Sequence, residues 1–308
     1  MSSEQGSEAV EKPLAMSEKP LAPGLYLVAT PIGNLEDMTL RALRVLRSVD
    51  RIACEDTRQT AKLLGHFGIK TPTVSYHMHN EGTRASELIE ALKAGGRIAV
   101  VSDAGMPGIA DPGAMIAAEA IAAGVDVFPI PGANAALSAL IASGLPSERF
   151  AFHGFLPSKE GARRTTLEAL RGRVVDEATT HIFYETPHRI VGALEDVVAT
   201  FGAQQRVVLA RELTKLHEEF LRGTAGDLLA TLQARPSVRG EMVLLLELSP
   251  AANGKAEAVQ PMLAEEVAAL MISEGLAEMD ALKRVAKARG IGKSEAYREW
   301  QRGQARKR

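Results

Sequence analysis

SDAGMPGIADPG, running from Ser102 to Gly113, packs three glycines and two prolines among two aspartates. The apolar run Arg97–Ser102 reads as a buried strand leading into it, and Ala114–Ala123 reads as the helix that follows. Such a loop leaves the carboxyl end of a parallel strand, which is where open α/β sheets bind their ligands. Glycines let a ligand approach the backbone closely, and their amides can hold a carboxylate in a nest. The stretch is no phosphate cradle, because it carries neither GKS nor GKT and its glycines are not spaced GxGxxG. Glycine and proline also mark ordinary strand–helix turns. On residue chemistry alone a ligand loop and a structural turn both remain open.

Outward from this loop, strand and helix signals alternate. Leu25–Ala29 is a short apolar strand, followed by a turn at Thr30–Asn34. A helix then carries Leu40, Leu43, Leu46 and Val49 at a spacing of three, a helical stripe. Arg51–Cys54 is a further strand candidate. Ser86–Ala94 reads as a helix closed by Gly95–Gly96. Val125–Ile130 is a strand, and Pro131–Gly132 opens a helix reaching Ser143. This rhythm predicts a mostly parallel sheet with helices on its faces. A second unit starts near Phe150, with strands at His181–Tyr184, Arg206–Arg211 and Glu241–Leu248. Between them lie a helix from Arg189 to Thr200 and another capped by Thr224.

Length and composition narrow the classes. A chain of 308 residues, 46% hydrophobic and 24% charged, suits two α/β domains and an appendage. Aromatics make up 4%, which argues against broad base-stacking surfaces. The single cysteine, Cys54, excludes an internal disulfide framework and a cysteine-rich zinc site. Apolar runs such as Met242–Leu246 are too short to cross a bilayer. The first 24 residues are polar, repeat EKPLA at Glu11–Ala15 and Glu18–Ala22, and lack a signal-peptide core, so they read as a disordered tail. Met16 is an alternative start. Net charge is −2, yet Lys283–Arg308 holds ten basic residues against Glu295 and Glu299. A basic end therefore hangs on a neutral body. Its apolar positions (Leu263, Val267, Leu270, Met271; Leu282, Val285, Ala286; Tyr297, Trp300), with Gly290–Gly292 as a break and Ser294 as N-cap, have the pattern of a helix-turn-helix.

Several stretches together resemble the tetrapyrrole methylase superfamily. The loop Ser102–Gly113 is similar to its signature loop, VATPIGNLEDMTLRAL (Val28–Leu43) to its opening strand, turn and helix, and PGANAALSAL (Pro131–Leu140) to its switch into a later helix. CEDTR (Cys54–Arg58), HNE (His79–Glu81), HGFLP (His153–Pro157), YETPHR (Tyr184–Arg189) and RELTKLHEE (Arg211–Glu219) resemble its ribosomal RNA 2'-O-methylase branch. The likeness spans Leu25 to Leu248, and the last helices resemble that branch's extension. The resemblance implies an α/β, two-lobed fold with a cofactor cleft between lobes at 25–146 and 147–249, a linker at 250–260 and a basic helical extension at 261–308. It also implies a cytoplasmic enzyme, with no membrane association. The enzyme would use S-adenosyl-L-methionine to methylate a cytidine in the decoding region of 16S rRNA within the small ribosomal subunit, working as a homodimer.

Residue by residue, the resemblance puts Pro31 and Ile32 on the cofactor's flank, and Ser102, Asp103, Ala104 and Gly105 along its methionine and ribose portion. Ala133, Asn134 and Ala135 would lie against the nucleoside, while Tyr184 and Ala210 close the adenine pocket. Asp103 stands out, since a carboxylate accepts bonds from a ribose or an amino group; a helix cap is its other reading. The chemistry is an in-line displacement at an activated methyl group, so the protein must align a hydroxyl and take its proton. Candidate bases and orienters are Glu55, Asp56, His79 and Glu81, with Glu185 and His188 behind them. Glu55–Asp56 with Arg58 reads equally as an ion-pair cluster. His77 and His79 could share a strand face and bind a metal, but no further ligand is spaced nearby and no metal is implied. Arg163 and Arg164 read as RNA-phosphate contacts, as do Lys283, Lys287, Lys293 and Arg298. Lys215 and Glu218 could be a plain surface pair. Two other functions compete: methylation of a porphyrin-like ring, which needs no basic appendage, and a non-catalytic metabolite-sensing regulator that binds DNA.

Overall fold

The computed structural model describes residues 20–77, 81–111, 113–172 and 177–250, and beyond them 267, 270, 271, 276–289, 292, 296, 297 and 300. After Pro250 the chain passes from one compact unit to a second.

The first unit contains two five-stranded sheets. In the first, β1 (Gly24–Val28), β2 (Arg51–Cys54), β3 (Thr73–Ser75), β4 (Arg97–Val101) and β5 (Val127–Ile130) lie in the order β3-β2-β4-β1-β5. Every neighbouring pair is parallel. Their near-continuous apolar sequences follow from burial on both faces. Tyr26, Val28, Ile52, Cys54, Ala99 and Val101 face one core, and Leu25, Ala53, Ile98 and Val100 face the other. The connecting helices are α1 (Leu40–Ser48), α2 (Thr57–His66), α3 (Glu81–Lys93), α4 (Ala114–Ala122) and α5 (Ala135–Ser143). The buried stripe of α1 is Ala42, Val45 and Leu46, continued by Val49, while Leu40 is exposed. The leucine spacing therefore located the helix but not the phase of its buried face. A spacing of three drifts around a helix of 3.6 residues per turn. Thr39, Asp56 and Asn134 cap α1, α2 and α5 by accepting bonds from the amides of Ala42, Arg58 and Leu137.

The second sheet is built from β6 (Phe150–Phe155), β7 (Thr179–Glu185), β8 (Arg206–Arg211), β9 (Glu219–Thr224) and β10 (Met242–Leu248), in the order β6-β7-β10-β8-β9. Only β6 and β7 pair in parallel; the other three contacts are antiparallel. The mostly parallel sheet expected from the strand–helix rhythm of the first stretch is the first sheet, whereas the second is mostly antiparallel. There β8 turns directly into β9, and a hairpin needs no helical crossover. One face packs under α6 (Glu160–Arg171), α7 (Ile190–Phe201) and α8 (Ala225–Gln233). Helix α5 packs on the other face: Ala136, Ala139 and Leu140 meet Ile182, Val208, Val243 and Leu245. This helix, which follows the last strand of the first sheet, thereby joins the two halves.

In the second unit, α9 (Glu278–Arg289) places Ala281, Leu282, Val285 and Ala286 against Val267, Ala296 and Trp300. The Trp300 indole donates to the Glu278 carboxylate at 3.0 Å.

Candidate active site

Two loops leave the carboxyl ends of the adjacent strands β1 and β4 and are tied to each other by buried polar bonds. Thr30 and Gly105 exchange both backbone bonds, at 2.9 and 3.0 Å. The Thr30 hydroxyl donates to the Ser102 carbonyl at 3.1 Å, and the Ser102 hydroxyl donates to the Gly105 carbonyl at 3.2 Å. Gly105 takes φ +82°, a left-handed backbone that a side chain would strain. Further along, a Cβ on Gly113 would stand 3.1 Å from the Gly108 amide nitrogen, so the loop closes on itself only through glycine. Ala110, at φ +63°, holds the same backbone region without that freedom. Strain of this kind persists where the surroundings impose it, and it gathers at functional sites.

Beneath this loop lies a cavity of about 380 Å³ between the two sheets, within the usual range for small-molecule sites. One wall is Ile32, Ala104, Gly105 and Met106, continued by Ile109, Ala110 and Asp111. Asn134 and Ala135, at the start of α5, form the floor. The opposite wall comes from the second sheet: Phe155, Tyr184 to Pro187, Ala210, Leu213 and Glu241 to Val243. Small side chains line one side, and Glu185, Thr186 and Glu241 stand among apolar residues on the other, which suits a small molecule with both apolar and polar parts.

A model of the Tetrapyrrole (Corrin/Porphyrin) Methylases matches residues 24–229, which include every strand but β10 and every cavity-lining residue except Glu241, Met242 and Val243. The chain belongs to this family. Among curated relatives, "Ribosomal RNA small subunit methyltransferase I" of Halalkalibacterium halodurans is 48% identical over 284 residues, covering 89% of this chain and 93% of the relative. The protein of that name from Bacillus subtilis is 45% identical over 275 residues, with 89% and 92% covered. That from Escherichia coli O157:H7 is 50% identical over 224 residues, with 72% and 77% covered. Solved structures share the fold at low identity. A uroporphyrin-III-C-methyltransferase from Thermus thermophilus gives a TM-score of 0.50 at 22% identity, covering 73% of this chain and 94% of that one. A diphthine synthase gives 0.53 at 18%, with 72% and 89% covered.

In this member of the tetrapyrrole methylases, the cavity is lined by Ile32, Ala104, Gly105, Asn134, Ala135, Tyr184 and Ala210. Pro31, Ser102, Asp103 and Ala133 are not among its lining residues. Ser102 is buried behind the loop and braces it. Asp103 is exposed and accepts a bond from the Asp56 amide at 3.3 Å. The Asn134 side chain is engaged as the cap of α5, accepting from the Leu137 amide at 2.9 Å.

Of the candidate bases, Asp56 caps α2 and pairs with Arg58 at 3.2 Å, so it fixes the first turn of that helix. Glu55 is half-buried. Burial raises its pKa, and the negative charges of Asp103 and Asp56 push the same way against His77. His79 lies outside the described residues. Glu81 opens α3, but its side chain also lies outside them. Glu185 is buried in the cavity wall, paired with Arg189 at 2.9 Å and accepting from the Thr186 amide at 2.8 Å. His188 is exposed.

The carboxyl that sequence reasoning did not single out is Asp111, in the same loop as Asp103. It lines the cavity, and its pKa is pushed up to about 6, first by burial and then by Glu55 and Asp103. Glu241 was also missed. At the cavity edge, Lys215 bonds both Glu212 and Glu241 at 2.9 Å. Burial works against the Lys215 charge, but the two carboxylates outweigh it and raise its pKa. Lys215 therefore clasps the wall instead of making a surface pair with Glu218. No periodicity marks these positions, because they come together only where separate loops and strand ends meet.

The reading of Arg163 as an RNA contact is corrected. Its guanidinium is buried and bonds Asp196 at 2.6 Å, while Arg164 takes the other Asp196 oxygen at 2.7 Å and Glu160 at 2.8 Å. A basic pair on an amphipathic helix reads the same in sequence whichever way it faces. Here Asp196, on α7, draws Arg163 inward, while Arg164 stays half exposed. Lys283 pairs with Asp280 at 2.8 Å and Lys287 is exposed on α9; Lys293 and Arg298 lie outside the described residues.

Proposed function

We propose that this methyltransferase transfers a methyl group from S-adenosyl-L-methionine to the 2'-oxygen of a cytidine in the decoding region of 16S rRNA. The observation that carries this reading is one cavity assembled from the Ser102–Gly113 loop, the start of α5 and the second sheet. The relatives that match along nearly their whole length are named for methylation of small-subunit rRNA. Ile32, Ala104, Gly105, Asn134, Ala135, Tyr184 and Ala210 would hold the methyl donor. When bound, S-adenosylmethionine supplies a methyl group already activated on a sulfonium centre.

The rest falls to the protein's own groups. A ribose hydroxyl is a poor nucleophile at neutral pH, and a base with a pKa near the working pH serves it best. Asp111 meets that requirement from within the cavity. Its carboxylate would accept the proton of the ribose hydroxyl. Glu185 is already committed to Arg189 and the Thr186 amide, so its role is to shape the wall. The Lys215 clasp ties Glu241, at the cavity edge, to Glu212.

The enzyme works in the cytoplasm, on the small ribosomal subunit and as a homodimer. To test the function, small ribosomal subunits, naked 16S rRNA, a tetrapyrrole precursor and DNA are each incubated with labelled S-adenosylmethionine. Label should enter the subunits, as one ribose methyl group on a cytidine by mass spectrometry. Label in the tetrapyrrole alone would overturn the reading.

A further inference from the structure

Strand β6 reaches the cavity through an irregularity. Its pairing with β7 sets Phe152 opposite Ile182 and then Phe155 opposite Tyr184, so one extra residue is inserted on β6. Gly154 sits within the bulge at φ +67°. In an unbroken pleat Phe155 would share a face with His153, which stacks on Phe183 in the core beneath α6 and α7. The extra residue reverses that alternation and turns Phe155 to the face of Phe152 and Tyr184. Bulges at sheet edges next to active sites re-aim side chains in this way.

The re-aimed ring lines the cavity while remaining 52% exposed. It is held from behind: Tyr184 meets it edge-on at 5.7 Å and meets Phe152 at 4.9 Å. Exposing half a phenylalanine at the cavity gains nothing for folding, and Gly154 takes a left-handed backbone to do it. The cavity lining holds the carboxyls of Asp111, Glu185 and Glu241 and, among the described residues, no lysine or arginine. Glu185 and Glu241 are already paired with Arg189 and Lys215, so the lining, among the described residues, presents no cation to a phosphate, and an uncharged part of a nucleotide is what it suits. A ribose inside folded RNA reaches a methyl donor in a cleft only if its nucleotide is drawn out, which costs the base its stacking. An aromatic face at the entrance restores it.

We propose that Phe155 is the platform on which the target base stacks when its ribose enters the cavity. The inference rests on the RNA-methylation reading above. The test compares full-length wild type, Phe155→Ala and Phe155→Tyr for S-adenosylmethionine affinity by calorimetry, thermal melting, and methylation of small ribosomal subunits. Phe155→Ala should melt like wild type and keep its cofactor affinity within about twofold. Its kcat/KM on subunits should fall roughly 10- to 100-fold, the range for one lost base–aromatic stack. Phe155→Tyr should restore most of the rate. Wild-type kcat/KM in Phe155→Ala overturns the platform and leaves the RNA reading intact. Loss of cofactor affinity by the same factor as kcat/KM also overturns it, because the ring would then be part of the cofactor wall. If the wild type itself fails to label subunits, the functional reading falls and the platform falls with it.

Discussion

Replacing Arg163 with methionine should cost folding stability and leave RNA binding untouched. Arg163 is 7% exposed, and its partner Asp196 is 1% exposed. Their bond is 2.6 Å long, and Arg164 holds the second Asp196 oxygen at 2.7 Å. Methionine keeps most of the buried stem but leaves a carboxylate in the core with one cation instead of two. Breaking a buried pair costs about 3–5 kcal/mol, and the surviving Arg164 contact places this case near the low end, at about 3 kcal/mol. For a unit of this size each kcal/mol moves the melting point by about 2–4 °C, so Tm should fall by about 6–12 °C. The double variant Arg163→Met/Asp196→Leu removes both charges and should regain most of the loss, since a buried pair exchanged for apolar groups is often neutral. Scanning calorimetry measures both, and subunit binding between low and moderate salt should show an unchanged slope. A single variant that melts within about 2 °C of wild type, with a shallower salt slope, would refute the internal role and return Arg163 to the RNA.

Asp111→Asn should lower kcat by about 10²- to 10⁴-fold, the usual contribution of a general base, with S-adenosylmethionine affinity retained in calorimetry. In the wild type the rate should fall tenfold per unit as pH drops below about 6, because the base is then protonated; a flat profile between pH 5 and 7 in about the same assay would exclude Asp111. Gly105→Leu should abolish cofactor binding, since it strains a φ of +82° and directs a side chain toward Ile32 and Ala133. Asp103→Ala should keep that binding, because Asp103 is exposed and does not line the cavity, and equilibrium dialysis separates the two. Glu219 bonds Arg235 and Arg211, and its pKa is lowered from 4.5 to about 2. It therefore stabilises the fold above pH 4.5 and loses that contribution as pH falls toward 2, so Glu219→Gln should flatten the acid side of the Tm–pH curve.

Much of the first sheet was legible because its central strands β1, β2 and β4 are largely buried on both faces and helices such as α1 and α5 are capped by their own neighbours. Thr39, Asn134 and Thr224 do their work within four residues of themselves. Strand β9, EFLRGT, carries few apolar residues and is recognisable only once it pairs with β8. Helix α2 was hidden for a related reason: Asp56 read as a charge cluster until it was seen accepting the Arg58 amide.

The sequence by itself determined the fold class, the family and the loop that matters, because glycine and proline spacing, apolar period and motif order are properties of consecutive residues. Tertiary structure alone decided the roles of individual charges. Asp103 and Asp111 lie in one loop, yet one faces solvent and accepts an amide while the other faces the cavity beside Glu55. Arg163 and Arg164 are adjacent on one helix, and Asp196, 33 residues beyond Arg163, draws the first into the core. Phe155 depends on a single inserted residue that reverses which face of a strand it occupies. A charge or ring takes its function from what stands within a few ångströms, and those neighbours come from distant parts of the chain.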